Sequence, residues 1–407
     1  MGNFTSRACN ILRASIVGGG GGRDRDRDWS GLPDELLGSI AERLPMPDHA
    51  RLRAVCASWA SAAPAHPPSA SHFPWLMLAD DERRRGGGFH SFHSPPDSRS
   101  YRLRGTRRPP VEASSAAACV GARDGRLVML EAGTSAASYL LNPVTGARTD
   151  LPSLGTLPWT KTFFDVRKAV VSSAAPGAAG LVAAAVVYSL SCCHLAFARP
   201  GDGAWTPLDP SCPPSQRVED IAHHDGKLFA LFTGGQVRSF DLTAASPQAS
   251  GLYGTACAAE DDVAAAAAAG PAHASCHVQL VSSPSGGLLR VRSQREKLSG
   301  ITTKLSVARL DVESDCGWTE IKDLGDQSLF LDSKCSLSLS TTGDVGDVRK
   351  NCVYFVDQVP HSGKIEVGNL RTFDMSKGII EHFRPRSSRI KDRQQLMAPI
   401  WFVPSLL

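Results

Sequence analysis

The sequence predicts a mainly β protein, a β-propeller of about six or seven blades, with a small α-helical module on its N-terminal side. Three observations carry this expectation. Gly (37) and Pro (27) are common enough among 407 residues to suit many short strands and turns rather than a helical bundle. From about Trp75 onward, short apolar runs are separated by Gly, Pro, Asp and Asn, and the pattern returns every ~40–50 residues, as four-stranded blades do. Only residues 30–63 keep a helical period. A pair of unrelated β-sandwiches is the competing arrangement for the β-rich part.

Composition narrows the function classes. With 44 Lys+Arg against 40 Asp+Glu, the net charge of +4 is nearly balanced, so indiscriminate grip on nucleic acid or an anionic membrane is not expected. No apolar run approaches the ~18–20 residues of a membrane-spanning helix. The 11 cysteines are odd in number and none stands at Cys-x-x-Cys spacing, so free thiols are expected rather than a disulfide framework or a zinc site. No secretory signal opens the chain, because the early apolar stretch is short and broken by arginines. The expected location is intracellular, cytoplasm and/or nucleus.

Residues 1–28 end in Gly18 to Gly22 and repeated Arg-Asp, a composition that buries nothing and predicts a disordered leader. Met1-Gly2-Asn3-Phe4-Thr5-Ser6 also satisfies the N-myristoylation pattern, and Cys9 is placed to carry a second acyl chain. Stable membrane residence needs both, since one myristoyl group anchors only marginally. Arg7, Arg13 and the lack of acids before Asp24 fit an organellar presequence as a further alternative. Acylation at Gly2 and Cys9, or import, are the minority expectations beside a plain leader.

The helical module spans 29–63. Pro33 at a first helical position, with Asp34 and Glu35 behind it, is a helix start with preset φ and anions at the positive end of the dipole. Leu36, Leu37, Ile40 and Leu44 fall on one face, and Pro45 and Pro47 stop the helix. Asp48 can cap a second helix, in which Leu52, Val55, Cys56 and Trp59 follow at i, i+3, i+4 and i+7. Two helices of about a dozen residues cannot cover that much apolar surface alone, because units below about 40 residues need outside help. A partner is therefore expected to dock here. Residues 64–74, with Pro64, Pro67, Pro68 and Pro74, read as a stiff linker to the propeller at 75–407.

These residues carry a resemblance. Trp29 to Leu37, then Ile40, Leu44 and Pro45, then Leu52 to Trp59 with its Val55-Cys56-x-x-Trp59 close, resemble an F-box. The resemblance implies docking onto the Skp-type adaptor, and through it the cullin, of an SCF-type (cullin-RING) ubiquitin ligase. It implies adaptor contacts from Leu32, Pro33, Leu36, Leu37, Ile40, Leu44, Leu52, Val55, Cys56 and Trp59. Leu36, Leu37, Val55 and Trp59 are expected at the interface rather than in a private core. Ala57 and Ala60 stand where the family often has basic residues, which predicts weaker adaptor binding.

The β-rich part repeats one plan. Gly125 to Leu130, Ser138 to Leu141 and the Asn142-Pro143-Val144-Thr145-Gly146 turn read as strand, strand and turn. Asp225 to Phe232, Gly234 to Val237 and Phe240 to Leu242 repeat it, and weaker copies run through Leu288–Val291 with Leu305–Leu310 and Cys352–Val356 with Ile365–Phe373. Trp205, Trp318 and Phe383 recur near final strands, while the run Ala264 to Ala269 reads as a loop insertion. The phrases Leu140 to Gly146, Leu329-Phe330-Leu331, Asn351 to Phe355 and the ending Pro399 to Leu406 are similar to a large plant family that joins an F-box to a kelch-like β-propeller. The resemblance covers about residues 29–407. Arg126 replaces a frequent Trp and Asp332 a frequent Gly, and both predict altered blade edges. Ile400 to Val403, apolar and bounded by prolines, is expected to close the ring against the first propeller strands, because an open ring exposes two strand edges.

No constellation predicts catalysis. His273-x-x-Cys276-His277 has helix-like ligand spacing but no fourth ligand nearby. Cys192-Cys193-His194 follows an apolar strand, where adjacent side chains point to opposite faces. His223-His224-Asp225 sits in a blade turn without a nucleophile. Arg83 to Arg85 adjoin Asp80, Asp81 and Glu82 and read as a solvated face. The expectation is a non-catalytic adaptor subunit, without cofactor or metal, whose propeller captures an unidentified protein substrate. The alternative is a propeller scaffold that does not direct ubiquitylation.

Overall fold

The computed structural model describes residues 29–44, 46–63, 73–78, 89–96, 98–104, 117–131, 136–160, 164–172, 182–189, 192–208, 216–244, 247, 249–253, 274–311, 317–342, 348–357, 365–366, 369–383, 395–396 and 400–405. The leader with Gly2 and Cys9, most of the 64–74 linker, Arg83 to Arg85, the alanine run and His273 lie outside the described residues.

Six sheets form six blades, the lower of the two expected counts. From the innermost strand outward, blade 2 is Ala117–Arg123, Arg126–Glu131, Ser138–Leu141 and Arg148–Leu151; blade 3 is Phe164–Val171, Ala183–Ser189, Cys192–Ala198 and Thr206–Leu208. Blade 4 is Val218–His224, Lys227–Phe232, Val237–Asp241 and Ala249–Tyr253; blade 5 is Ala274–Ser282, Leu288–Glu296, Thr302–Leu310 and Trp318–Ile321. Blade 1 is assembled from both ends of the domain: Trp401–Phe402, then Trp75–Met77, Phe89–Ser94 and Arg99–Arg104. Blade 6 departs from the four-stranded plan. It runs Ser336–Ser340, Gln327–Leu331, Cys352–Val356, Leu370–Asp374 and Ile379–His382, and its second and third strands pair in parallel. Ile365–Glu366 pairs separately with Gln395–Leu396.

The blades read as near-continuous apolar runs because both of their faces are buried. In blade 2, Leu127 and Met129 pack toward blade 1 while Val128 packs toward blade 3. Every neighbouring pair of blades has its own buried cluster, including the pair that closes the ring, where Leu76 and Trp401 of blade 1 meet Phe330 and Tyr354 of blade 6. The hairpins have local causes. Asp124-Gly125 and Asp225-Gly226 have positive φ at both residues (48° and 74°, 45° and 75°), the two-residue turn whose twist matches the strands. After Ser138–Leu141, Asn142 Oδ1 accepts from the backbone N–H of Val144 (2.9 Å) and Thr145 (3.2 Å). Asp241 and Asp374 make the same kind of Asx turn after the corresponding strands of blades 4 and 6.

The helical module differs from the two long helices expected. Following a turn at Trp29–Gly31 it holds three short helices, α1 (Asp34–Ala41), α2 (Met46–Arg53) and α3 (Ala57–Ala62). Pro33 precedes α1 as its N-cap with ψ at 141°, rather than opening the helix. Asp48 lies inside the first turn of α2, bonded to Arg51 at 2.6 Å, rather than capping it. Cys56 is extended (φ −158°, ψ 171°), which ends the expected single run from Leu52 to Trp59. The break lets α3 fold back: Trp59 Nε1–H donates to the Trp29 carbonyl at 3.0 Å, and the Ser58 hydroxyl to that of Ser30 at 2.8 Å.

Candidate functional site

The helical module divides the ten expected docking residues. Leu37, Leu52 and Trp59 are buried with Ala41 and Ala63, and Leu32, Ile40, Leu44 and Cys56 pack partly against them. Leu37 and Trp59 therefore belong to the module's own core, correcting the expectation that they face a partner. Three helices suffice where two did not, because the turn at Cys56 supplies a third wall. Leu36 (54% exposed) and Val55 (49%) remain large apolar side chains in solvent, and Pro33, three residues before Leu36, is exposed as well.

Inside the ring, the innermost strands of blades 2, 3 and 4 each carry a bulge at the corresponding place: between Cys119 and Gly121, Val166 and Lys168, and Val218 and Asp220. A bulge re-aims the next side chain. Here Lys168 Nζ and Asp220 Oδ1 meet at 2.8 Å, both buried, and Asp220 Oδ2 accepts the Leu280 N–H at 2.7 Å. At the third position Gly121 is required, since a Cβ would stand 2.0 Å from the Ala169 carbonyl oxygen. A buried pair of this kind holds three blades in register and contributes geometry more than net stability.

Asp332, expected to alter a blade edge, instead anchors the closing strand. Its Oδ1 accepts from the N–H of Lys334 and of Cys335, both at 2.6 Å, and its Oδ2 from the N–H of Trp401 at 2.8 Å. A glycine there offers none of these acceptors. Burial pushes the Asp332 carboxyl up to about 7, against the opposing pull of its three donors and Lys168. A carboxyl whose folded value is raised contributes stability that is fully present below about pH 4 and lost as pH rises through about 7. His223 and His277 act in the opposite sense: burial first, then nearby arginines, hold both down to about 4, so their contribution is lost as pH falls from about 6.5. The melting temperature of Asp332→Asn, less that of the parent, is expected to rise between about pH 5 and pH 8. A difference that stays flat across that range would show that Asp332 does not change protonation there.

The other polar motifs lie on strands and in the turns that join them. Cys276 and His277 lie on strand Ala274–Ser282, not on a helix or in a loop, so the helix-like spacing has no geometric meaning there. Cys193 is buried, with its thiol 3.7 Å from the Val218 carbonyl oxygen, and His194 stacks on Trp159 at 4.2 Å. His223 and His224 end an inner strand, and the turn itself is Asp225-Gly226. Burial pushes the Cys119 thiol up to about 12 and raises that of Cys335, the reverse of an activated nucleophile. Among the described residues no group of three His, Cys, Asp or Glu is placed to hold a metal, and no helix is long and apolar enough to cross a membrane.

Comparison with known proteins agrees with this geometry. A family model described as the KIB1-4 beta-propeller matches residues 92–376, and one described as F-box-like matches residues 29–66. Two Arabidopsis thaliana proteins carrying F-box names are similar. One is 28% identical over 196 residues, 47% of this chain and 50% of that protein, and the other 32% identical over 83 residues, 20% and 24%. The chain thus spans at most about half the length of these two relatives. A β-propeller domain of Cps50 (Swd1) from Myceliophteria thermophila is 12% identical with a TM-score of 0.34 over 74% of this chain and 85% of that one, too distant to carry an argument.

Proposed function

We propose that this chain, which belongs to the KIB1-4 β-propeller family and carries an F-box-like module ahead of the propeller, is the substrate-receiving subunit of an SCF-type ubiquitin ligase. The observation that carries the reading is the exposure of Leu36 and Val55 on a module whose own core is already filled. On a module matched by an F-box-like family model, these two side chains are the apolar anchors available to a partner. The module docks a Skp-type adaptor and through it a cullin, and the propeller holds a protein substrate. The chain supplies proximity, and the transfer chemistry belongs to the conjugating enzyme. Cys119, Cys335 and Cys352 are free thiols, which supports work in a reducing compartment, cytoplasm and/or nucleus.

Ala57 and Ala60, in place of basic residues, favour one second reading: a propeller scaffold whose adaptor binding has lapsed. Co-purification separates the two. The tagged full-length protein is expected to bring down adaptor and cullin together, and capture of neither favours the scaffold. A chain beginning near His72 is expected to keep its substrate and to lose the ability to promote its ubiquitylation. Loss of substrate by that shortened chain while it remains folded would move recognition to the helical side.

A further inference from the structure

The hairpin of blade 5 has an unusual charge balance. Residues 288–310 carry Arg290, Arg292, Arg295, Lys297, Lys304 and Arg309 against the single acid Glu296, in a chain whose whole net charge is +4. That acid is engaged, since Glu296 Oε2 accepts from the Ser299 hydroxyl at 2.5 Å. The tip between the strands is built rather than slack. The Gly300 N–H donates to the Glu296 carbonyl at 2.8 Å, the Glu296 N–H to that of Ile301 at 3.0 Å, and Gly300 takes a φ of 68°. On this tip Leu298 (63% exposed) and Ile301 (40%) stand in solvent, although the blade's core is already supplied by Val291, Leu305 and Val307.

Behind the tip stands Arg295, half-buried on strand Leu288–Glu296. Arg295 lies opposite Ser275 and His277 opposite Ser293, so Arg295 and His277 share one face of the two strands as diagonal neighbours. Arg295 Nε is buried without a hydrogen-bond partner among the described residues. The carboxylate whose charge acts on Arg295, that of Asp357, is already shared. Asp357, almost fully buried, accepts the Thr302 N–H on Oδ1 at 3.0 Å and has Arg371 Nε 3.2 Å from Oδ2. The field is positive enough that burial together with Arg295 and Arg167 depresses His277. Arg295 is half-buried with an unpartnered Nε, and one carboxylate between Arg295 and Arg371 leaves positive charge over.

We infer that the hairpin of blade 5 receives an acidic segment of a partner protein, whose carboxylates meet the exposed Lys297 and Lys304 while an apolar side chain packs on Leu298 and Ile301, with Arg295 adding positive field from behind the tip. The inference rests on the substrate-receptor reading and names the chemistry of what is received. A bare nucleic acid fits less well, because the tip offers aliphatic side chains and no stacking platform.

The test selects peptides from a random library on the full-length protein, then measures the selected peptides on the parent, on Lys297→Glu with Lys304→Glu, and on Leu298→Asp with Ile301→Asp. These are surface positions, and melting temperatures are measured to verify that each variant folds. Selected peptides are expected to be rich in Asp and Glu with an aliphatic or aromatic residue, to bind about tenfold more weakly to either variant, and to weaken with added salt. Selected peptides without an acidic excess, or with unchanged affinity for both variants, overturn the inference. So does co-sedimentation of the parent with phosphatidylserine vesicles, lost in the same variants, which would assign the tip to a membrane. Adaptor capture is measured in parallel and is expected to be equal in all three proteins. Its absence in the parent counts against the ligase reading and leaves the peptide result standing.

Discussion

Removal of residues 399–407 is expected to leave the propeller insoluble or to lower its melting temperature by more than any surface change. Ile400, Trp401 and Phe402 are fully buried, and Trp401–Phe402 is the innermost strand of blade 1, opposite Trp75 and Leu76. The strand is held at both ends. Trp401 gives its N–H to Asp332 and its indole N–H to the Leu331 carbonyl (3.1 Å), while Asn142 Nδ2–H donates to the Ser405 carbonyl at 3.1 Å. Gly125 is tied to the same tail, since a Cβ there would stand 2.3 Å from that of Ser405. Aromatic contacts run from Phe402 to Phe92 (4.8 Å between centroids) and from Trp401 to Phe330 (5.2 Å). Without the strand, blade 1 loses its inner edge and the ring opens. The point change Trp401→Ala separates packing from pairing: it is expected to cost about 3–5 kcal/mol, or about 4–7 °C. A shortened protein that melts like the parent would show that the ring closes by other means.

The second large effect is on adaptor capture. Leu36→Asp combined with Val55→Asp is expected to abolish it, a loss of about 100-fold or more, because two apolar anchors are replaced by charges that must be desolvated on docking. Both side chains are exposed, so the module should keep its helical circular dichroism and its own core. Trp59→Asp also removes capture, but for a different reason. It places a carboxylate among Leu37, Ala41 and Leu52 and leaves the Trp29 carbonyl with only the Leu32 N–H at 3.4 Å, so the three helices separate. Retained adaptor binding by the Leu36, Val55 pair with the module intact would count decisively against the docking assignment.

Much of this protein was legible in its sequence, wherever the deciding interactions are local. Asp124-Gly125 and Asp225-Gly226 dictate their hairpins through two left-handed φ angles. Asn142 makes its turn through its own side chain, and runs such as Leu228 to Phe232 declare a strand buried on both faces. The helical stretch from Pro33 and the closing Pro399 to Leu406 phrase were equally visible, the second because solvent does not tolerate Ile400, Trp401 and Phe402 together. Only the tertiary structure decided the rest. It chose which of ten apolar docking residues stay outside, because the break at Cys56 that folds Trp59 onto Trp29 leaves no trace in a helical period. It paired Lys168 with Asp220 through bulges in two different blades, and set two strands of blade 6 in parallel. It turned Asp332 from an edge substitution into the anchor of a strand 69 residues away. Periodicity and turn chemistry act over a few residues, whereas these partners meet only after the ring has brought distant strands together, and nothing in either partner's neighbourhood names the other.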